Sequence, residues 1–340
     1  MRPTTKDLAI AAGVSLATVD RVLNDRSGVR KNTVDRVNQA IEKLGFTRNL
    51  VAANLARGKN YRFVFLLPQS GDQFLDGLIA RIAEANLAFA GEMVEAHVLR
   101  IAENDPHQIA NLLGSLDHDQ IDGVAIMAPE SPQVRDAKAR LAERDVETVS
   151  FIAGQGTGPH HDLVGIDNHA AGATAGRLMG RFSDRAPGRI LVIAETMHAR
   201  DSLERRLGFD EVLNADFPHL SVLPSLETYG DRERTAQVIR NALDSHGDMA
   251  GVYILSSEAR LPLEIVLDTA TSRKPVVIAH ERTPFTEAAL QSGKIDALIT
   301  QDPGHLVRSA IRILRARKDR RDVLASQEKI RIEILLKENI

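Results

Sequence analysis

Arg21 carries a planar guanidinium that can meet two acceptors side by side, and small or hydroxyl-bearing residues surround it at helical spacing: Ser15, Leu16, Ala17 and Thr18 before it, Asn24 after it. Such a fork matches O6 and N7 of guanine, and the apolar Leu16 and Ala17 suit the methyl of thymine. The hydroxyls of Thr5, Ser15, Thr18 and Thr33 suit phosphate oxygens. This chemistry needs an element that holds these groups outward together. Residues 5–24 provide one. Leu8 and Ala12 share a helix face at i, i+4, Gly13 allows a left-handed turn, Ser15 is placed to cap the next helix, and Val19, Val22 and Leu23 form its buried stripe. Leu16, Ala17, Thr18, Asp20 and Arg21 remain outward, where a recognition helix presents side chains to a DNA groove. A third helix follows, with Asn32 expected as its cap, Val34, Val37, Ile41 and Leu44 at helical spacing, and Gly45 as its end.

The run through Arg-Val-Leu-Asn at 21–24 and Leu-Gly-Phe at 44–46 closely resembles the LacI/GalR family of bacterial transcription regulators. One departure is visible, because Asp20 stands where that family usually has Ser. The resemblance implies a homodimer on a palindromic double-stranded operator. Residues 49–58 have the pattern of a helix, with Asn49 as cap and Gly58 as stop, but isolated helices shorter than about 12 residues are marginal in water. In the family such a segment orders against its copy in a second subunit and against the minor groove. Ala52 and Leu55 are then DNA contacts, Leu55 as the wedge between base pairs. The competing reading is an ordinary linker helix with Leu50 and Leu55 packed on a lobe.

Charge is distributed unevenly. Residues 1–60 hold 11 Lys and Arg against 5 Asp and Glu, an excess of six positive charges in a chain whose net charge is −3. A polyanion is therefore held at one end. The chain has no Cys, which excludes disulfides, a thiolate nucleophile and Cys-ligated zinc, and no run of about 20 apolar residues reads as a membrane span. Without a secretory leader pattern at its start, the chain is expected in the cytoplasm, associated with the nucleoid and away from membranes.

From residue 62 short apolar runs alternate with amphipathic ones. Strands are expected at 62–67, 95–99, 123–127, 148–152, 189–194, 251–255, 275–279 and 297–300, with a helix at 74–89. Alternation of this kind argues for parallel sheets covered by helices, with ligands outside the carboxyl ends of the strands. In order, Asp122-Gly123-Val124, Gly165-Ile166-Asp167-Asn168, Arg205-x-x-Gly208-Phe209 and Thr300-Gln301-Asp302-Pro303 resemble the effector domain of the same family. The expected fold is an all-α helix-turn-helix headpiece (1–46), a hinge helix or linker (47–60) and an α/β two-lobed periplasmic-binding-protein-like domain with parallel sheets (61–340). Lobe 1 would comprise about 61–165 and 283–302, and lobe 2 about 166–282 and 303–340, with crossings near 166, 282 and 302.

The resemblance places a small-molecule effector, sugar-like by family habit, between the lobes. Arg205 and Gln301 match its ligand-contacting Arg and Gln, and Glu281 stands where the family has Asp, after His280 in place of Tyr. Asp72, Phe74, Asp167 and Ser257 complete the candidate pocket. Each has a plainer reading: a surface salt bridge with Asp201 or Glu204 for Arg205, a loop residue for Gln301, a core residue for Phe74. Two sugar anchors of the family are replaced by Phe151-Ile152-Ala153 and Ala128-Pro129. The function implied is a DNA-binding repressor whose operator affinity a sugar, polyol or derivative controls.

Two other classes compete. An enzyme would draw on Gly154-x-Gly156-x-Gly158, yet Pro159-His160-His161 follows where a dinucleotide loop would open a helix, and no catalytic or cofactor motif is present. A transport receptor would share the two-lobed part but not the basic headpiece. The tail from 328 to 340 lacks the leucine heptads of a tetramer-forming coiled coil.

Overall fold

The computed structural model describes residues 3–23, 27–46, 60–69, 72–101, 105–154, 163–246, 249–269 and 274–340. They form two compact units, Met1–Asn60 and Tyr61–Ile340.

The first unit holds α1 (Thr5–Ala12), α2 (Leu16–Leu23) and α3 (Lys31–Leu44). Leu8, Ala9, Ala12, Val19, Val37, Ala40 and Phe46 bury one small core, so each helix contributes the stripe its spacing prescribes. The expected cap of α3 at Asn32 is corrected. The extended residue is Arg30, whose carbonyl accepts from the amides of Thr33 and Val34 and closes the first turn earlier, leaving Asn32 exposed within it.

The second unit contains two sheets. The first runs β2-β1-β3-β4-β5, all parallel, from β1 (Tyr61–Pro68), β2 (Val94–Ile101), β3 (Gly123–Ile126), β4 (Glu147–Phe151) and β5 (Leu163–Val164). The second runs β12-β11-β10-β9-β6-β7, from β6 (Gly188–Ala194), β7 (Leu220–Val222), β9 (Met249–Ile254), β10 (Val276–His280), β11 (Ala297–Thr300) and β12 (Glu333–Leu335), while β8 (Leu226–Glu227) also pairs β6. Every pairing is parallel except β11 with β12. Strands covered on both faces bury unbroken apolar runs, as Phe63–Leu67 and Ile190–Ala194 do.

The helices are α4 (Gln73–Phe89), α5 (Pro106–Ser115), α6 (Pro132–Glu143), α7 (Asn168–Phe182), α8 (Arg200–Asp216), α9 (Arg232–Ser245), α10 (Arg260–Asp268), α11 (Pro284–Gln291), α12 (Pro303–Lys318) and α13 (Ala325–Glu328). Among the described residues no helix is long and apolar enough to cross a membrane.

The lobe division expected from sequence is corrected in its second half. Residues 283–302 do not return to the first lobe, because β11 pairs in parallel with β10 and completes the second sheet. Helix α12 packs instead on α4 and on β3 and β4 of the first lobe, burying Leu306, Val307, Ala310, Ile311 and Leu314. The crossing expected near 282 is therefore absent. The chain crosses at 165–167, at 301–303, and after α12, where Glu328 is held by Ser309 at 2.5 Å and by both Arg312 donors at 2.7 Å before β12. The cause is local: β10, α11 and β11 are joined by short connections, so their strands lie side by side. The tail thus ends in an antiparallel edge strand, which its composition did not announce.

Helices α7 and α8 meet backbone to backbone. A Cβ on Gly172 would lie 1.9 Å from the carbonyl oxygen of Arg205, and one on Gly208 2.0 Å from that of His169. This approach sets Asn168, at the start of α7, beside Arg205 of α8. Gly172→Ala is expected to destabilise the chain by about 2–3 kcal/mol in urea unfolding, the upper range for overpacking. Gly77→Ala in α4, whose Cβ would meet nothing within 4 Å, should instead stabilise it by a few tenths of a kcal/mol.

Candidate functional site

The headpiece face is built by its caps. Thr4 and Asp7 form a reciprocal capping box on α1, with the Asp7 amide 3.3 Å from Thr4 Oγ1; the Thr4 amide and hydroxyl, donating to Asp7 Oδ2 at 2.8 and 2.7 Å, hold the Asp7 carboxyl below its ordinary pKa. Gly13 ends α1 at φ 62°, and the Val14 amide reaches back to the Ala9 carbonyl at 3.1 Å. Arg36 of α3 donates to the Gly13 carbonyl at 2.9 Å and also to that of Ala12, which fixes the turn against the third helix. Ser15 Oγ accepts from the Thr18 amide at 3.2 Å and lies 2.8 Å from Thr18 Oγ1, so both hydroxyls brace the first turn of α2.

With Val19 buried, α2 presents Leu16, Ala17 and Arg21 to solvent, Leu16 at 47% exposure. Thr18 and Thr33 are half-buried and Thr5 is exposed. Asn24, Ala52 and Leu55 lie outside the described residues.

The second site lies where the strands of the second unit end. Arg205 is 2% exposed, which overturns its reading as a surface ion pair with Asp201 or Glu204. Its Nε donates to Asn168 Oδ1 at 2.9 Å, Nη1 donates to the Leu255 carbonyl at 2.7 Å, and Nη2 faces Glu281 Oε1 at 3.6 Å. Glu281, directly after β10, is fully buried and adopts φ 63°, a region that costs a residue with a Cβ about 1 kcal/mol. Its carboxylate also accepts from Gln301 Nε2 at 3.0 Å and Thr300 Oγ1 at 3.3 Å. Burial pushes the Glu281 carboxyl up to about 7 against the opposing pull of Arg205. Gln301 is 1% exposed, and among the described residues its Oε1 has no hydrogen-bond partner.

Beneath this floor Tyr253 Oη lies 2.7 Å from His280 Nε2 and its ring stacks on Phe209 at 4.4 Å between centroids. Burial holds His280 well below its ordinary pKa, so the ring is neutral.

Among the described residues, two hydrogen bonds span the lobes. Asp72 caps α4 through the amides of Phe74 at 2.6 Å and Leu75 at 3.3 Å, and its Oδ2 accepts from Ser257, after β9, at 3.4 Å. The Phe285 amide at the start of α11 donates to Gln73 Oε1 at 3.2 Å. Burial raises Asp72 to about 6, against the two amide bonds, and the nearby Glu258 charge adds to the rise.

Of the sequence candidates, Arg205, Glu281 and Gln301 come together directly, and Asp72 and Ser257 meet across the lobes. Phe74 is a core residue at 3% exposure, and Asp167 is an exposed cap whose Oδ1 accepts from the Ala170 amide at 2.9 Å. The partner of Arg205 is its neighbour Asn168, which sequence reasoning missed. The only signal for it was a polar residue opening a helix rich in Gly. Among the described residues no group of three or more His, Asp or Glu is arranged to hold a metal ion.

Both units match known families. Residues 63–320 match the family described as periplasmic binding protein domain, and residues 4–49 match bacterial regulatory proteins, lacI family. The chain is 33% identical over 168 residues to the maltose regulon regulatory protein MalI of Escherichia coli (strain K12), covering 49% of this chain and 47% of that one. It is 27% identical over 184 residues to catabolite control protein A of Streptococcus mutans, covering 54% and 53%. The chain thus spans about half the length of the curated relatives it matches. GanP, a glucose-galactose binding protein from Geobacillus stearothermophilus, shares the fold of the second unit, with a TM-score of 0.71 at 17% identity over 83% of this chain and 99% of its own.

The raised carboxyls make stability depend on pH. Each group binds its proton more tightly folded than unfolded, so its contribution is fully present below the unfolded value and is lost as pH climbs through the folded one. For Glu281 that window runs from 4.5 to about 7, and for Asp72 from 3.8 to about 6. Urea unfolding of the parent chain, Glu281→Gln and Asp72→Asn between pH 4 and 8 should show a shallower decline with rising pH in each variant. Slopes identical to the parent's would contradict the assignment.

Proposed function

The chain belongs to the periplasmic-binding-protein domain family and carries a lacI-family domain at residues 4–49, and from this we propose that it is a cytoplasmic DNA-binding transcription regulator, a repressor controlled by a small molecule. The observation that carries the reading is the conjunction of two sites in one chain: an exposed Leu16, Ala17 and Arg21 face on a capped recognition helix, and a polar floor at the carboxyl ends of a parallel sheet.

In this account Arg21 reads a guanine, Leu16 and Ala17 touch a thymine methyl, and Thr5, Ser15, Thr18 and Thr33 meet phosphates. Asn24, Ala52 and Leu55 extend the interface. Two copies on a palindromic site place two headpieces in successive major grooves. Residues 47–60 act as the connector, and residues 61–340 hold the effector between lobes divided at the observed crossings. Arg205, Glu281 and Gln301 form the floor of that pocket, and Asp72 and Ser257 its gate. A sugar, polyol or derivative fits, in keeping with the names of two of the proteins it resembles, one a maltose regulon regulator and the other a glucose-galactose binding protein. Because Asp72–Ser257 and Gln73–Phe285 join the lobes, a molecule that closes or opens them changes the geometry that the connector transmits, and operator and effector affinities are linked reciprocally.

A mobility-shift titration on a palindromic site from the gene's own upstream region tests this. The parent chain should retard the duplex, and Arg21→Ala should lose about 1–3 kcal/mol on the intact site and almost nothing on a site already changed at the base pair Arg21 reads. An equal loss on every sequence would contradict base reading.

A further inference from the structure

The effector cleft contains a buried carboxylate that no cation among the described residues neutralises. Asp72 is 7% exposed, and among the described residues its carboxylate is bonded by two backbone amides and one hydroxyl and by no Lys, Arg or His. The amides sit on Oδ1. Oδ2 has only Ser257 at 3.4 Å, a long bond. The start of α4 adds partial positive charge, worth at most about half an elementary charge. Against it stand other carboxylates: Glu258 follows Ser257 directly, and Glu281 lies near enough to act on Asp72 through space. Arg205, the buried cation of the site among the described residues, is already committed to Glu281, Asn168 and the Leu255 carbonyl. Glu258 is served by Arg260 at the exposed rim, 4.0 Å away, and by the Arg260 amide at 2.9 Å.

The amide of Gln301 is a second, independent sign of the same imbalance. It gives its Nε2 donor to Glu281, and its buried Oε1 acceptor has no partner among the described residues. A buried acceptor without a donor costs about 1–3 kcal/mol. The floor and the gate therefore share one deficit, of donors and of positive charge. Among the described residues, the first-lobe positions directly after β3 and β4 read Met127-Ala128-Pro129 and Ile152-Ala153-Gly154 and carry no cation. A neutral polyol supplies donors but leaves the charge of Asp72 unanswered. A protonated amine supplies both.

We propose that the effector of this chain carries a protonated primary amine, in the manner of an amino sugar or amino polyol, and that Asp72 receives the ammonium group while Gln301 Oε1 accepts from a hydroxyl of the same molecule. The inference rests on the cleft being the effector site. The ammonium bridges Asp72 of the first lobe to the Ser257–Glu258 segment of the second, so binding draws the lobes together at the point where they already touch.

Calorimetric titration of the full chain at pH 7 with D-glucosamine, D-galactosamine and D-mannosamine, each against its parent hexose, tests it. At least one amino sugar should bind about tenfold or more tightly than its parent, the equivalent of one charge-assisted hydrogen bond. Asp72→Asn, which keeps the helix cap, should bring that ratio close to one by weakening the amine far more than its parent hexose. A hexose bound as tightly as its amine, no amine bound at all, or a ratio untouched by Asp72→Asn would overturn the proposal. Mobility shifts run alongside separate the two readings. If the amine binds but no duplex is retarded, the regulator reading fails and this one stands. If the duplex is retarded and only an uncharged hexose alters the retardation, the regulator reading stands and this one fails.

Discussion

Burying a guanidinium and a carboxylate together is expensive unless every donor and acceptor finds a partner, and the second unit is arranged around one such pair. Arg205 and Glu281 are both almost fully removed from water. Four separate chain segments supply what they need: the start of α7 through Asn168, the end of β9 through the Leu255 carbonyl, the end of β10 through Glu281 itself, and the end of β11 through Thr300 and Gln301. Each segment must arrive within hydrogen-bond distance at once. The glycines at 172 and 208 follow from that demand, because α7 and α8 can bring Asn168 to Arg205 only by touching backbone to backbone. The left-handed backbone at Glu281 follows as well, since it turns the carboxylate toward the guanidinium at the end of a strand.

A floor so well pinned is rigid, and the adaptable part of the site is the gate. Among the described residues the gate consists of the long Asp72–Ser257 bond and the single Gln73–Phe285 bond, while three crossings of the chain also join the lobes. Such a division suits a receptor that reports occupancy by changing an angle. The headpiece obeys a different economy. Its small core is supplemented by the Thr4–Asp7 box, the Ser15 cap and the Arg36 clamp on the turn, so that three helices of modest length hold one exposed face steady.

Local features were legible in sequence. Gly13 and Ser15 announce the turn because a left-handed residue followed by a cap has few other uses, and the apolar runs from Phe63 and Ile190 announce strands covered on both faces. Features decided by distant partners were not. Ala297–Thr300 reads the same whether it joins the first sheet or the second, and only its pairing with β10 settles the matter. Helix α12 shows an apolar stripe but not which sheet will cover it. Asp167 and Asn168 are adjacent polar residues at a helix start, and periodicity does not distinguish the one that caps from the one that turns inward. Arg205 was legible as a residue worth watching, but its burial depended on partners 37 and 50 positions away.

The dependence of the fold on the Arg205–Glu281 pair is tested most directly by a double-mutant cycle on unfolding free energy with Arg205→Met, Glu281→Gln and both together. Arg205→Met strands a buried carboxylate and should cost about 3 kcal/mol or more, and at least about 1 kcal/mol less in the Glu281→Gln background, because the second change removes the charge the first left unanswered. Strictly additive losses would contradict the account and reduce the pair to two unrelated buried side chains.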